Sequence, residues 1–359
     1  MSGLVKRKDY CQFLLSSQIN YTLTYFADHT TRFSHDAPTR YLRRDRITSK
    51  QIWQQAKRDL VLSKNGFIVF DDSVLDKNHS RHIELVYKQY SGNEHRVING
   101  IGFISCVYVN PETGEFWEID YRVYDPNTDG KSKHQHVADM LENCFLKCSV
   151  GELEFKTVLM DTWYATTKLM LLIHRSKRIF YCPIQSNRKV SQKYGTEKYQ
   201  YQSANSLDWT EQEENFGKTV HVKEFPAGFE VKLFRIVASN GDTEWVVTND
   251  ESPIETKVAQ KVCGFRWKVE QFHREIKQVT GIEECQCRSS RAQKNHIGCA
   301  LLVWLFLKRR AKQCFTTVYA LKQGLLDNYM IHELLSPVSY THLRAHETDS
   351  YLVCRLLLE

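Results

Sequence analysis

The sequence predicts an α/β protein in which short helices come first, a run of strands follows, and long helices close the chain. Three observations lead to this prediction. Residues 1–62 carry helical patterns without strand signals. From residue 66, short apolar runs bounded by turn residues indicate strands, and from about residue 254 helical spacing returns. The 359 residues suffice for one large domain or two to three modest ones.

The overall composition is ordinary for a globular protein, with 42% hydrophobic and 25% charged residues. No run of eighteen apolar residues occurs, so the sequence predicts no transmembrane helix and no membrane partner. The start of the chain lacks the apolar segment of a secretory signal. Eleven cysteines without such a signal predict reduced thiols in a cytoplasmic protein. The Cys285-Gln286-Cys287 spacing is tighter than that of structural zinc sites, which favours buried or incidental thiols over zinc.

The N-terminal 62 residues are basic, with eleven Lys and Arg against five Asp, a net +6 of the formal +7 of the whole chain. A helix starting near Pro38 carries Arg40, Arg43 and Arg44, and Thr48 or Ser49 can cap the next helix. Short helices with arginines between them are typical of helix-turn-helix DNA-binding regions, where phosphate neutralisation drives binding. A plain helical bundle with a solvated basic face would give a similar pattern.

Strand and helix signals then follow in the order βββαβα(β), which is that of an RNase H-like core. Predicted strands lie near residues 66–70, 101–109, 116–124, 155–160 and 178–182, and predicted helices near 136–146 and 164–173. The chain accordingly divides into a helical DNA-binding region (1–62), the first part of the core (63–185), a β-rich insertion (186–250), helices that complete the core (251–315) and a C-terminal helical region (316–336).

The last 23 residues, 337–359, resemble the translation of a sequencing-library adapter rather than protein-coding sequence. Segments of this kind are excluded from fold reasoning. We therefore expect the natural C-terminus to be missing, and we assign no function to His342, His346 or Cys354.

Acidic residues stand where strands or a helix would bring them together. Asp71 and Asp72 follow the first predicted strand, Asp161 follows the strand near 155–160, and Glu270 lies in a predicted helix. Carboxylates at neighbouring strand ends, joined by one from a covering helix, can hold two divalent cations for attack at phosphorus. Oxygen-only ligation favours Mg²⁺ or Mn²⁺. An Asp at a strand end is more often a turn or cap residue, so neither strand-end position alone indicates a site.

The helix around Glu270 strengthens this interpretation. Arg266, Glu270 and Lys277 fall on one helical face, at spacings of four and seven residues. A solvent-exposed face would look similar. However, an apolar stripe lies directly beside these residues, which places the charged stripe next to the core rather than opposite it.

These motifs resemble those of bacterial cut-and-paste insertion-sequence transposases, specifically the branch with a Tyr-x2-Arg-x3-Glu-x6-Lys signature. In this chain the signature is Cys263-x2-Arg266-x3-Glu270-x6-Lys277, with Cys in place of Tyr. The resemblance covers roughly residues 5–312 and extends to Ser34-His35-Asp36, Thr39-Arg40, the blocks at 70–77 and 160–165, Ser186-Asn187-Arg188 and Thr248-Asn249.

The resemblance implies a DDE transposase that hydrolyses DNA at the transposon ends and then joins the freed 3′-hydroxyl to target DNA. The implied metal ligands are Asp71, Asp161 and Glu270, with two Mg²⁺ or Mn²⁺ ions. Asp72 remains an alternative to Asp71, which we prefer because the family's Asp-x-Thr/Ser pattern aligns with Asp71-x-Ser73.

The resemblance also implies contacts to double-stranded DNA, both at the inverted repeats and at the target. Arg266 and Lys277 would contact phosphates, and Arg188 is a further candidate. Trp163 would either stack on an unpaired base or pack in the core. A homodimer that pairs two transposon ends is implied as well, and nucleoid association would follow from DNA binding. The alternatives are a catalytically silent DNA-binding derivative, or an RNase H-like nuclease without strand transfer.

Overall fold

The computed structural model describes residues 3–335, except 79, 81, 93, 194–198 and 239–240, so the adapter-like residues 337–359 lie outside the described part. The helices are α1 (Arg7–Ser16), α2 (Leu23–Asp28), α3 (Ala37–Arg44), α4 (Ser49–Ala56), α5 (Pro126–Asp129), α6 (Lys133–Ser149), α7 (Thr167–Arg175), α8 (Glu211–Phe216), α9 (Thr256–Gly264), α10 (Trp267–Thr280), α11 (Ser290–Gln313) and α12 (Val318–Leu335). The strands are β1 (Phe67–Asp76), β2 (Tyr87–Ser91), β3 (Arg96–Val109), β4 (Phe116–Val123), β5 (Thr157–Met160), β6 (Ile179–Ile184), β7 (Lys189–Ser191), β8 (Gln202–Ser203), β9 (Lys218–Val222), β10 (Val231–Val237) and β11 (Thr243–Thr248).

The described strands form one large mixed sheet in the order β2-β3-β1-β5-β6-β11-β10-β9-β7-β8, with β4 also paired to β3. Strand β1 lies between an antiparallel neighbour, β3, and a parallel neighbour, β5, which in turn pairs in parallel with β6. Helices α6 and α7 supply the crossovers that the parallel pairs need. This mixed α/β arrangement is consistent with the predicted RNase H-like core.

Strand β1 is longer than the sequence predicts, and this changes the position of the two neighbouring aspartates. Its first four residues, Phe67 to Phe70, pair with β5 on one side and β3 on the other. Beyond Phe70 only β3 remains paired, and it holds β1 in extended form to Asp76. Asp71 and Asp72 therefore lie inside β1 rather than after it. They occupy the point where the sheet opens on the β5 side.

The segment 186–250 contains strands β7 to β11, and they extend the main sheet through an antiparallel pair between β11 and β6. The helical region that the sequence predicts from about residue 254 begins with two separate helices. Helix α9 ends at Gly264, and α10 starts at Trp267. In the part of the chain that the structure describes, no helix combines the length and apolarity needed to cross a membrane.

The N-terminal helices pack on the rest of the chain and share its core. Helices α1 and α3 contact α11, while α4 lies against both β4 and α11. The buried hydroxyl of Tyr10 lies 2.9 Å from Nδ1 of His296 on α11. Residues 1–62 therefore depend on α11 for burial of their apolar side chains.

The turn between α3 and α4 is held by one buried side chain of α11, and this predicts a large effect on stability. Asn295 donates from Nδ2 to the carbonyls of Leu42 (2.7 Å) and Asp45 (2.5 Å), and its Oδ1 accepts from the Ile47 N–H (2.9 Å). Replacing Asn295 with Ala should lower the free energy of unfolding by about 2–4 kcal/mol, because buried backbone groups lose their partners.

Urea unfolding of the Asn295→Ala chain measures this effect. Gln313→Ala is the matched control, since Gln313 is an exposed amide on the same helix and its loss should change stability by less than ~0.5 kcal/mol. Equal stability of the two variants would show that the α3–α4 turn is not held by Asn295.

Candidate active site

Two aspartates meet at the edge where β5 ends. The parallel pairing of β1 and β5 has its last pair at Phe70 and Met160. The next residue on each strand is an aspartate, Asp71 on β1 and Asp161 after β5. Because paired parallel strands run in the same direction, both carboxylates lie at the same edge of the sheet.

Helix α10 brings a third carboxylate to this edge. It packs against β1 and β3 through its buried apolar side chains, which include Val269, Phe272 and Ile276. Glu270, on the same helix, lies outside this apolar stripe and is exposed. The helix therefore presents Glu270 beside the sheet edge while its apolar face fixes the backbone.

These acidic side chains border one cavity of about 1100 Å³. Asp71, Asp72, Asp161 and Glu270 all line it. The cavity is also lined by three cationic side chains, Lys133, Arg274 and Lys277, and by five aromatic or imidazole side chains, namely Tyr90, Tyr124, His134, Trp163 and His273. The structure thus brings the carboxylates predicted from the sequence into a single cleft.

The surroundings of the carboxylates disfavour their charged form. Burial raises the pKa of Asp71 well above its usual value, and the nearby Asp161 and Asp72 charges raise it further. Burial also raises the pKa of Asp161, although the Tyr164 N–H donates to its carboxylate. Burial raises the pKa of Glu270 too, against the opposing effect of nearby arginines. A cation in the cleft would relieve this repulsion.

The two neighbouring aspartates have different partners. Asp72 accepts hydrogen bonds from the buried Tyr164 hydroxyl (2.7 Å) and from Lys133 Nζ (2.5 Å), at the start of α6. Among the described residues, the Asp71 carboxylate accepts one hydrogen bond, from the Asp72 N–H (2.8 Å). Asp72 is already neutralised by the protein, whereas Asp71 keeps free oxygen lone pairs in the cleft.

The chemistry of these donors fits a hard divalent cation. Carboxylate oxygens are the ligands that Mg²⁺ and Mn²⁺ prefer, and the raised pKa values mark a site where positive charge is lacking. As the side chains stand, no group of three or more His, Cys, Asp or Glu in the described residues is arranged around one ion. The fit therefore lies in donor type and electrostatics.

Comparison with known protein families supplies the identity. The model of the transposase DDE domain matches residues 63–306, more than half of the chain. The chain belongs to this family. Its matched range begins just before β1 and ends within α11, so it contains the cleft and all four acidic side chains.

Other comparisons add little to this assignment. Among solved structures, the transposase resembles the Drosophila P element transposase strand transfer complex, at 12% sequence identity and a TM-score of 0.28. The match covers 48% of this chain and 37% of that chain. No protein in the curated set matches the sequence.

Arg266 and Lys277, the two basic residues predicted to contact DNA, are occupied by protein partners. Arg266 pairs with Glu244 of β11, at 2.8 Å between Nη1 and Oε1. Lys277 Nζ lies 3.0 Å from a Glu283 carboxylate oxygen and donates to the Val74 carbonyl at 2.8 Å. Lys277 lines the cleft. Arg266 does not line it, but its positive charge opposes the rise in the pKa of Asp161.

Trp163 and Arg188 lie next to the cleft rather than in its centre. Trp163 is 62% exposed, so the alternative in which it packs in the core is wrong. Its carbonyl lies 2.9 Å from Nε2 of His134. Trp163 separates the cleft from a second cavity of about 420 Å³, which Arg188 also lines. Arg188 donates there to the Thr167 hydroxyl at 2.8 Å.

The arginines predicted for the N-terminal region lie outside the cleft. Arg43 and Arg44 are exposed at the end of α3. Arg40 is exposed as well and donates to the Ser34 hydroxyl at 2.9 Å. The three arginines therefore belong to a surface separate from the acidic site.

Three residues of the cleft lining were not predicted from the sequence, namely Lys133, His273 and Arg274, and neither was Tyr164, which is buried and donates to Asp72. His273 and Arg274 fall three and four residues after Glu270, and this helical spacing was the available signal. Lys133 and Tyr164 become recognisable only through their shared partner Asp72, since no local pattern links residues 72, 133 and 164.

The contrast between Asp71 and Asp72 predicts opposite effects of the same substitution. A carboxyl group whose pKa is raised by folding destabilises the fold as pH rises through that pKa. Asp71→Asn should therefore raise Tm at pH 8 without divalent metal, by about 2 °C for each kcal/mol relieved. Asp72→Asn should lower stability by about 1–3 kcal/mol, because Lys133 loses a charge-assisted bond.

Thermal unfolding in EDTA measures both variants. The gain from Asp71→Asn should shrink as pH is lowered from 8 towards 4, since the wild-type Asp71 is then already protonated. A destabilised Asp71→Asn chain together with an unaffected Asp72→Asn chain would reverse the assignment of the two residues.

Proposed function

We propose that the chain is a bacterial-type cut-and-paste insertion-sequence transposase that cleaves DNA at transposon ends and joins the freed ends to target DNA. The observation that carries the proposal is the cleft itself. Three carboxylates with raised pKa values, Asp71, Asp161 and Glu270, border one cavity in a member of the transposase DDE domain family.

In this proposal Asp71, Asp161 and Glu270 hold the divalent ions, and Asp72 does not. Two bound Mg²⁺ or Mn²⁺ ions would activate the attacking oxygen and stabilise the leaving oxygen. Water attacks phosphorus first and releases a 3′-hydroxyl end. That hydroxyl then attacks a phosphate of target DNA, and the bond to the target 3′-oxygen breaks as the new one forms. Asp72 would instead have a structural role, through the hydrogen bonds that it accepts from Lys133 and Tyr164.

The assignment to the branch with the Tyr-Arg-Glu-Lys signature is also a proposal. It rests on the spacing of Arg266, Glu270 and Lys277. At the position of the tyrosine, Cys263 is buried on α9, so this chain offers no phenol there for a DNA contact. Any contact made by that tyrosine in the branch must come from another residue here.

DNA would approach the cleft across its cationic and aromatic rim. Arg274 is exposed, lines the cleft and has no ion-pair partner in the described residues. We propose it as a phosphate contact, with Lys277, Arg266 and Arg188 joining when DNA displaces their protein partners. Trp163, at the junction of two cavities, is placed to stack on a base. The N-terminal arginines, Arg40, Arg43 and Arg44, would bind DNA farther from the cut.

Cleavage of a DNA duplex carrying the element's own terminal sequence tests the catalytic proposal. Asp71→Asn, Asp161→Asn and Glu270→Gln should each reduce the rate about 10³-fold or more, because several kcal/mol of charge stabilisation are lost at tenfold per 1.36 kcal/mol. DNA binding should persist in all three. The control is Glu142→Gln, an exposed carboxylate of α6 outside the cleft lining that should retain most of the activity.

The outcomes separate the proposal from its alternatives. Wild-type protein that binds terminal DNA but never cuts it with Mg²⁺ or Mn²⁺ would be a silent DNA-binding derivative. Protein that cuts, yet gives no joined product from pre-cleaved ends and a target plasmid, would be a nuclease without strand transfer.

Joining two ends at one target requires two active sites, which favours a homodimer. The mass of the protein on paired-end DNA would show the number of copies.

Arg274 gives a second, independent prediction about DNA binding. Removing one phosphate contact should weaken binding of all sequences alike and reduce the slope of log K against log salt by about 1. Arg274→Ala should show this change in fluorescence-anisotropy titrations at several salt concentrations. Arg310→Ala, an exposed arginine outside the cleft lining, is the control. An unchanged slope for Arg274→Ala would remove this residue from the DNA contact.

A further inference from the structure

His273 lies on α10 one turn after Glu270 and is buried against the sheet. Its Nε2 lies 2.8 Å from the hydroxyl of Ser105 on β3. Ser105 is the residue that pairs directly with Asp71 across the β1–β3 ladder. One hydrogen bond therefore connects the helix that carries Glu270 to the residue beside Asp71.

The imidazole of His273 is neutral. Burial, together with the nearby Lys277 charge, lowers the pKa of His273 to about 3. Its ring also packs against Phe103 and Phe272, with centroids 6.3 and 5.6 Å away. A buried hydroxyl–imidazole hydrogen bond of this kind is costly to break, because each group would lose its partner.

A second bond fixes the same helix one turn farther along. Lys277 Nζ donates to the Val74 carbonyl of β1 at 2.8 Å. In the described part of the chain, these are the two side-chain hydrogen bonds that join α10 to β1 and β3. They lie three and seven residues after Glu270, so they fix both the rotation and the axial position of the helix at that residue.

We propose that His273 is a positioning residue, whose hydrogen bond to Ser105 sets the place of the Glu270 carboxylate relative to Asp71 and so governs the affinity of the cleft for divalent cations. The inference rests on the proposed function, since it takes these carboxylates as ion ligands. The residue touches neither DNA nor ion and acts through the orientation of α10. Packing alone would require a ring of similar size but no hydrogen bond.

The experiment is Mn²⁺ binding to the full chain without DNA, followed by electron paramagnetic resonance of the free ion. His273→Phe keeps a ring but loses the bond, and the affinity should fall about tenfold, as for residues that orient metal ligands. Ser105→Ala should show a similar loss. The double variant should be no weaker than His273→Phe, because both changes remove one bond. His273→Gln places an amide near the position of Nε2 and should restore affinity to within about threefold.

His221 supplies the matched control. It is buried on β9, burial lowers its pKa, and its Nδ1 lies 3.2 Å from the Phe229 carbonyl, outside the cleft lining. His221→Phe should change Mn²⁺ affinity less than twofold even where thermal stability drops. If His221→Phe weakens binding as much as His273→Phe, the effect is general loosening and the inference is overturned.

Two results distinguish this inference from the proposed function. A wild-type chain that binds no Mn²⁺ and cuts no DNA contradicts the proposed function. A wild-type chain that binds Mn²⁺, with Ser105→Ala and His273→Gln both at wild-type affinity and His273→Phe equally unaffected, contradicts the positioning role alone. Ser105→Ala removes only a hydroxyl oxygen, so it gives the decisive value should His273→Phe fail to fold.

Discussion

Repulsion among the carboxylates of the cleft is the constraint on which the rest of this site depends. Asp71, Asp161 and Glu270 come from three separate elements, and each is fixed by contacts that do not involve the other two. The sheet fixes Asp71, the turn at Tyr164 fixes Asp161, and the packed face of α10 fixes Glu270. Because these elements cannot separate without losing buried apolar area, the charges cannot relax apart. A cation bound in the cleft would reduce this repulsion, and so would protonation of a carboxylate.

Neighbouring residues in one strand acquire different chemistry from this arrangement. Asp72 differs from Asp71 by one position, yet it meets Lys133 and Tyr164, whereas Asp71 faces other carboxylates. An ion at Asp72 would first have to break a charge-assisted hydrogen bond. Asp72 therefore links α6 and the turn after β5 to β1 through its hydrogen bonds, and Asp71 stays unneutralised. A sequence motif with two adjacent aspartates does not carry this distinction, because the partners lie 61 and 92 residues away.

The sequence predicted those features that depend on local pattern. The buried run that begins β1, the placement of Asp161 after a strand and the helical face of Glu270 all follow from periodicity. Features that depend on pairing between distant residues were not predicted. The polar end of β1 is extended only because β3 pairs with it, and the break between α9 and α10 comes where Arg266 meets Glu244. No local pattern links His273 to its partner Ser105, which is 168 positions away. The acidic residues of the cleft could therefore be predicted from the sequence, whereas the residues that hold them in place could not.

The pairing of the basic residues has a consequence for how DNA would enter. Arg266 and Lys277 are not free cations, because Glu244 and Glu283 already neutralise them. Both pairs are only partly exposed, so a DNA phosphate that replaces the carboxylate must supply an equivalent charge-assisted contact. Release of counterions from DNA then favours the exchange. Arg274 differs, since it is exposed and unpaired in the described part of the chain. DNA would first meet Arg274, and only afterwards the paired residues, so that the carboxylates of Glu244 and Glu283 give way as the backbone approaches Asp161 and Glu270.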